Sequence, residues 1–143
     1  MTGFNGRCAC GAIVFTITGP VGDVVACHCR TCRRASGFVW AAVECADRDL
    51  SISGDTLAWW ASSEQASRGF CAACGSSLFF KLHETGRTSV APGVIDTPLT
   101  RTVARHIFCA EAGDYYRLAD DVPQHAAGGA AQPESDQHQR GAK

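Results

Sequence analysis

From Ala12 to about Phe108 the apolar residues fall in short β-branched and aromatic runs, each cut by Gly, Pro, Ser or Asp. Runs of that length with turn residues between them suit strands, so the pattern predicts a mostly β fold of short antiparallel strands. Expected strands are Ala12–Thr18, Asp23–Cys29, Val39–Cys45, Asp49–Ser53, Leu57–Ala61, Ser67–Phe70, Ser77–Leu82, Thr88–Val94 and Val103–Phe108. Breaks are expected at Gly19-Pro20, Gly54-Asp55, Gly86 and Asp96-Thr97-Pro98, each a turn signal. Helical periodicity is weak, and only Thr31–Gly37 is expected to form a helical turn.

The pattern stops near His125. Residues 126–143 carry no apolar side chain larger than Ala or Pro, so burial cannot offset the entropy of ordering them. The expected organisation is one folded domain over 1–125 and a flexible tail over 126–143, in which His138 is solvated.

Composition adds limits. With 143 residues, 45% hydrophobic and 19% charged, the chain is expected to form one ordinary globular domain with its own core. No apolar run approaches the roughly 18 residues of a membrane span. Met1 to Arg7 lacks a basic stretch followed by an apolar one, which points to the cytoplasm. A net charge of -1 supplies no field for nucleic acid. The densest local basic patch is Arg30, Arg33 and Arg34.

The nine cysteines change the picture. Seven sit in three tight groups: Cys8 with Cys10, Cys27 with Cys29 and Cys32, and Cys71 with Cys74. In a reducing compartment such spacing reads as metal ligation before it reads as disulfides, and an odd total would leave one cysteine over. Cys8 and Cys10 lie two apart and face one side of an extended chain. Cys71 and Cys74 have the spacing of a zinc knuckle. Gly11 and Gly75 each follow a pair, where a residue able to adopt positive φ is useful. The two pairs together supply four thiolates, which make a closed structural site and tie the N-terminal strand to the middle of the chain.

Cys27, Cys29 and Cys32 provide three thiolates from six residues, with no fourth cysteine at adjacent spacing. The fourth corner is open or filled from elsewhere, by Cys45, Cys109, His28 or His106. His28 lies between two ligands and should face away, as support or packing. Cys45 and Cys109 read by default as small buried residues, and His106 as a packed strand histidine or a proton shuttle. A thiolate-rich open zinc is a weak activator of water but can hold a thiol deprotonated, so the natural substrate is a small thiol.

On the runs Gly6-Arg7-Cys8-Ala9-Cys10-Gly11, Cys27-His28-Cys29-Arg30-Thr31-Cys32-Arg33-Arg34, Gly37-Phe38-Val39-Trp40, Ser62-Ser63, Arg68-Gly69-Phe70-Cys71-Ala72-Ala73-Cys74-Gly75-Ser76, Pro92-Gly93-Val94-Ile95-Asp96 and His106-Ile107-Phe108, the chain resembles the glutathione-dependent formaldehyde-activating enzyme family, also called the centromere-protein-V/GFA domain. The resemblance implies a zinc-containing β-tent and two zinc ions per chain. Cys8, Cys10, Cys71 and Cys74 match the structural ligands, and Cys27, Cys29 and Cys32 the catalytic ones. It also implies a carbon–sulfur lyase that makes S-(hydroxymethyl)glutathione from glutathione and formaldehyde and reverses the step, in a monomer or homodimer. Cys109 and Tyr115-Tyr116 depart from the pattern.

Arg30, Arg33 and Arg34 are then candidate anchors for the glutathione carboxylates, with a solvated basic turn as the equal alternative. Trp40, Trp59 and Trp60 are expected in the core before a pocket. Ser62, Ser63 and Arg68 belong to the family-like pattern without an assignable role. The residues alone leave open a non-enzymatic thiol carrier, a protein-interaction module and a cysteine redox switch.

Overall fold

The computed structural model describes residues 3–128. Its elements are β1 (Phe4–Arg7), β2 (Val14–Ile17), β3 (Val24–Cys27), α1 (Arg30–Ser36), β4 (Trp40–Ala46), β5 (Leu50–Ser53), β6 (Leu57–Ala61), β7 (Ala66–Cys71), β8 (Ser77–Leu82), β9 (Arg87–Val90) and β10 (Val103–Ile107). They form a three-stranded sheet in the order β1-β2-β5 and a seven-stranded sheet in the order β10-β3-β4-β9-β8-β7-β6. The mostly β expectation holds, and neither sheet closes on itself.

Three features depart from the expected strands. β10 pairs with β3 in parallel, an exception within the mostly antiparallel pairing expected; the long connection after β9 gives the chain room to return in the same direction. β1 was not anticipated, because Phe4-Asn5-Gly6-Arg7 lacks alternation. Its ladder with β2 places Gly6 opposite Phe15, whose ring fills the space a Cβ at Gly6 would need. The strand expected over Thr88–Val94 ends at Val90, and Pro92, which has no N–H for a ladder, opens a 3-10 turn over Pro92–Val94.

Alternation along the strands sends side chains to two cores. On one face of the large sheet, Val24, Val43, Cys45, Val90, Leu78 and Phe79 pack with Ile13, Phe15 and Ile17 from the small-sheet side. Phe15 meets Phe79 edge-on at 5.4 Å and joins the two sheets. On the other face Cys27, Trp40, Phe80, Ile107 and Phe108 form a second core with Cys29 and Cys32 beneath α1. Of the three tryptophans Trp40 is buried as expected, whereas Trp59 and Trp60 on the edge strand β6 stand 43% and 45% exposed.

The other edge strand, β10, is covered by the chain that follows. The backbones of Pro123, His125, Ala126 and Ala127 bond to residues 106–110, which protects the edge. Residues 126 and 127, at the start of the expected tail, are therefore hydrogen-bonded; the remainder of that expectation, including His138, lies outside the described residues. No helix among the described residues is long and apolar enough to cross a membrane.

Candidate metal centres and their cavities

Two backbone knuckles build the first centre. Gly11 N–H donates to Cys8 O and Gly75 N–H donates to Cys71 O, with φ of +81° and +82° at the two glycines. These turns bring Cys8, Cys10, Cys71 and Cys74 together, their four sulfurs within 4.8 Å of one another. Cys8 and Cys71 are buried, while Cys10 and Cys74 are exposed. The Ile13 N–H points at Cys8 Sγ at 3.3 Å, and the hydroxyls of Thr56 and Ser76 lie 3.3 and 3.2 Å from Cys71 and Cys74. The Ser76 hydroxyl and backbone amides draw the Cys74 thiol down to about 5. Cys71 is lowered too, chiefly by Thr56. Four convergent sulfurs fit a tetrahedral thiophilic ion.

The second centre sits where β3 runs into α1. Cys29 is the N-cap of α1, its Sγ accepting from Cys32 N–H at 3.3 Å, and Gly37 closes the helix in the left-handed region with φ +89°. This cap folds Cys32 back beside the strand end. The sulfurs of Cys27, Cys29 and Cys32, all buried, lie within 4.8 Å of one another, and no further Cys, His, Asp or Glu among the described residues joins the group. Cys45 is buried in the other core, and Cys109 opens a 3-10 turn after β10. Hydrogen bonds from Cys27 and Cys32 pull Cys29 down to about 3, while burial, helped by its bond to Cys29, pushes Cys27 well up. Cys32 is also raised, to about 12, because the Cys29 bond and burial outweigh the lowering by Cys27. Cys29 is thus the thiol of the three that gives up its proton most readily.

His28 points away from this centre into a buried chain of polar groups. Its Nδ1 is 2.7 Å from Tyr116 Oη and its Nε2 is 2.8 Å from His106 Nδ1; His106 Nε2 is 2.9 Å from Asp120 Oδ2. With both imidazoles neutral one assignment satisfies every group: Tyr116 O–H donates to His28, His28 N–H to His106, and His106 N–H to Asp120. Burial holds His28 down at about 4, in keeping with a neutral ring. Gly113 N–H donates to Tyr116 Oη at 3.2 Å. Of the two residues on the exposed side of this chain, Tyr116 stood out in the sequence only as a departure from the family pattern, and Asp120 did not stand out at all.

Two cavities flank the centre on the same sheet face. A groove of about 300 Å³ runs beside Cys27, lined by Val25, Trp40, Ala42, Arg105 and Ile107. It ends at the ion pair of Arg87 Nε with Glu44 Oε1, 2.6 Å apart. Cross-strand register explains the lining: Ile107, Cys27 and Trp40 form one row and Arg105, Val25 and Ala42 the next. A second cavity of about 350 Å³ lies between α1 and β6–β8, lined by Thr31, Arg34, Trp60, Arg68, Phe70 and Ser77. Trp40 reaches across, its Nε1–H donating to Ser77 Oγ at 2.9 Å.

Among the arginines singled out in the sequence, Arg34 lines this second cavity and is exposed; Arg30 is exposed at the start of α1, and Arg33 is partly buried. Arg68 is 4% exposed, with Nη2 3.5 Å from Cys32 Sγ. Its position in the family-like run Arg68-Gly69-Phe70-Cys71 was a signal, but only the folded chain joins it to Cys32.

The chain is similar, at 31% identity over 80 residues, to an uncharacterised lyase of Schizosaccharomyces pombe; the match covers 56% of this chain and 58% of that relative's length. Its fold resembles the crystal structure of a Rhodobacter sphaeroides protein, with a TM-score of 0.55 at 19% identity over 84% of this chain and 98% of the other. The sequence profile of the glutathione-dependent formaldehyde-activating enzyme matches residues 3–111, a span that takes in both cysteine centres, and the chain belongs to that family.

Proposed function

We propose that this protein is a zinc-dependent carbon–sulfur lyase that joins a small thiol, with glutathione as the family's own substrate, to formaldehyde and reverses that step. One observation carries the reading: three buried sulfurs are gathered at Cys27, Cys29 and Cys32 with no fourth ligand group beside them among the described residues. In contrast, Cys8, Cys10, Cys71 and Cys74 form a complete set. The first arrangement leaves room for a substrate atom, and the second supports folding.

Zinc held by Cys27, Cys29 and Cys32 would supply a position at which a thiol gives up its proton. The chain does the rest. The groove beside Cys27 admits the thiol, and its apolar floor of Val25 and Ala42 keeps water from the sulfur. Arg105 offers positive charge farther along it, while Arg87 is paired with Glu44. In the bond-forming step the thiolate sulfur attacks the carbonyl carbon, the C–O π pair moves to oxygen, and that oxygen takes up a proton equivalent to the one the thiol lost. The product is a hemithioacetal, with no change in oxidation state. Catalysis on this reading rests on thiolate supply and positioning.

The test is exchange of formaldehyde with glutathione, followed by NMR, with metal content measured on the same samples. The expected result is two zinc ions per chain and faster exchange than in buffer. For Cys27→Ser, zinc should fall to about one per chain and the rate to that of buffer. Exchange at the unmodified rate in a Cys27→Ser protein lacking the second zinc would end the enzyme reading.

A further inference from the structure

His28 stands between two of the three clustered sulfurs, and it is 0% exposed. The rigid peptide planes on either side of it carry Cys27 and Cys29, so whatever fixes His28 fixes both. Three hydrogen bonds hold it: its backbone N–H donates to Ile107 O at 3.0 Å, Nε2–H donates to His106 Nδ1 at 2.8 Å, and Nδ1 accepts from Tyr116 O–H at 2.7 Å. Asp120 sets the direction of that chain. A carboxylate only accepts, so His106 carries its proton on Nε2 and offers Nδ1 as the acceptor for His28.

The outer members of the chain come from one segment. After β10 the backbone leaves the sheet and rejoins its edge through residues 123–127. On the way, Glu111 Oε1 accepts from Arg30 N–H at 3.0 Å, Tyr116 reaches His28, and Asp120 reaches His106. Cys29 is therefore gripped on both sides, through His28 and through Arg30. The segment is shaped for this grip: Gly113 N–H donates to Tyr116 Oη at 3.2 Å, and the Tyr115 ring fills the space a Cβ at Gly113 would need. Tyr116 also stands edge-on to Phe38, with centroids 4.8 Å apart, just past the end of α1.

Protecting the β10 edge needs only the backbone bonds of residues 123–127. Tyr116 and Asp120 do something else. They send polar groups inward to two buried imidazoles, which are costly to bury unless every nitrogen is paired and which become rigid once it is. The family match ends at residue 111, so both lie beyond it.

We propose that residues 111–120 are a positioning strap for the three-cysteine centre. Tyr116 and Asp120 act through His28 and His106, and Glu111 acts through Arg30, to hold Cys27 and Cys29 in ligating geometry before metal arrives. They are positioning residues and touch no reactant. The proposal rests on the zinc reading given above and adds that the grip on this zinc is set from outside the cysteine cluster. Loosening the strap then costs metal affinity rather than a ligand.

The test is stepwise removal of zinc from the full-length protein by a chelator of rising concentration, with bound zinc counted at each step. The step that is missing from Cys27→Ser belongs to the three-cysteine centre. In Tyr116→Phe and Asp120→Ala that step should report zinc binding about tenfold weaker, the low end of what outer partners of metal ligands contribute. The step of the four-sulfur centre should stay in place. Asp120→Asn, whose amide oxygen still accepts from His106, should restore the affinity that Asp120→Ala loses. Imidazole 15N spectra give a second readout: His28 should carry its proton on Nε2 in the unmodified protein and in Asp120→Asn, and on a mixture of both nitrogens in Asp120→Ala. Phe79→Ala, which weakens the fold through the other core, should leave the step where it is.

An unmoved step in Tyr116→Phe and Asp120→Ala overturns the strap, and so does an equal shift in Phe79→Ala. Should Asp120→Ala not fold, Tyr116→Phe, which lacks a single oxygen, decides alone. Failure of the lyase reading looks different: formaldehyde exchange would stay at the buffer rate while the zinc step still decides the strap. A protein without that step overturns both.

Discussion

At the scale of single residues, the protonation of the three-cysteine centre makes a prediction that the other centre does not. Cys29 is drawn down to about 3 by its sulfur partners, whereas Cys27 and Cys32 are held up. Metal ligation needs all three as thiolates, so filling this centre at pH 7 should release two protons rather than three. Lowering the pH adds protons that the metal must displace, and affinity falls; raising it has the opposite effect. Calorimetric titration of Zn2+ into metal-free protein, in buffers of different ionisation enthalpy, counts these protons if Cys71→Ser, Cys74→Ser protein isolates the centre.

His28 belongs to the same scale. Its backbone is held between two ligands and its ring is tied through His106 to Asp120 and directly to Tyr116. Tyr116→Phe removes one donor and leaves His28 Nδ1 unpaired, at an expected cost of about 1–3 kcal/mol in thermal or urea unfolding. The three cysteine groups could be read from spacing, because each supplies its sulfurs from within six residues. Arg68, Tyr116 and Asp120 could not, since what matters about them is contact across 36, 88 and 14 positions.

At the scale of elements, the short α1 is held by its two ends: Cys29 caps one and Gly37 the other. Its position explains how one helix serves two sites. Thr31 and Arg34 face the cavity, and Cys32 faces the sulfurs. The strands were legible because their apolar runs alternate and end in turn residues. β1 was hidden because its place comes from pairing with β2 and from the space that Gly6 leaves for Phe15, neither of which is a property of its own four residues. The parallel β10 was legible as a strand but not as a neighbour of β3, since direction is fixed by a connection and not by composition. The joint between sheets is Phe79, which touches Phe15 edge-on and stacks on Trp59 at 6.1 Å. Phe79→Ala should destabilise the fold by about 3–5 kcal/mol, measured by urea unfolding of the metal-loaded protein.

At the scale of the whole molecule, the large sheet separates two jobs. One face packs against the small sheet and includes Cys8 and Cys71 of the four-sulfur set; the other carries the three-cysteine centre with its two cavities. A fold held partly by a tethered pair of knuckles should respond to a strong chelator in two stages. Loss from the three-cysteine centre should leave the far-ultraviolet circular dichroism in place, whereas loss from the four-sulfur centre should lower the melting temperature by many degrees.

The tether between those knuckles also sets an order of events at the ribosome. Cys10 and Cys71 are 61 positions apart, whereas Cys27, Cys29 and Cys32 span six residues. At about 5–20 residues per second, the first pair of sulfurs to emerge waits about 3–12 s for its partners. The cluster that emerges second is thus the first to have all its ligands, and the oldest cysteines in the nascent chain stay exposed longest to whatever oxidants or competing metals the cell presents.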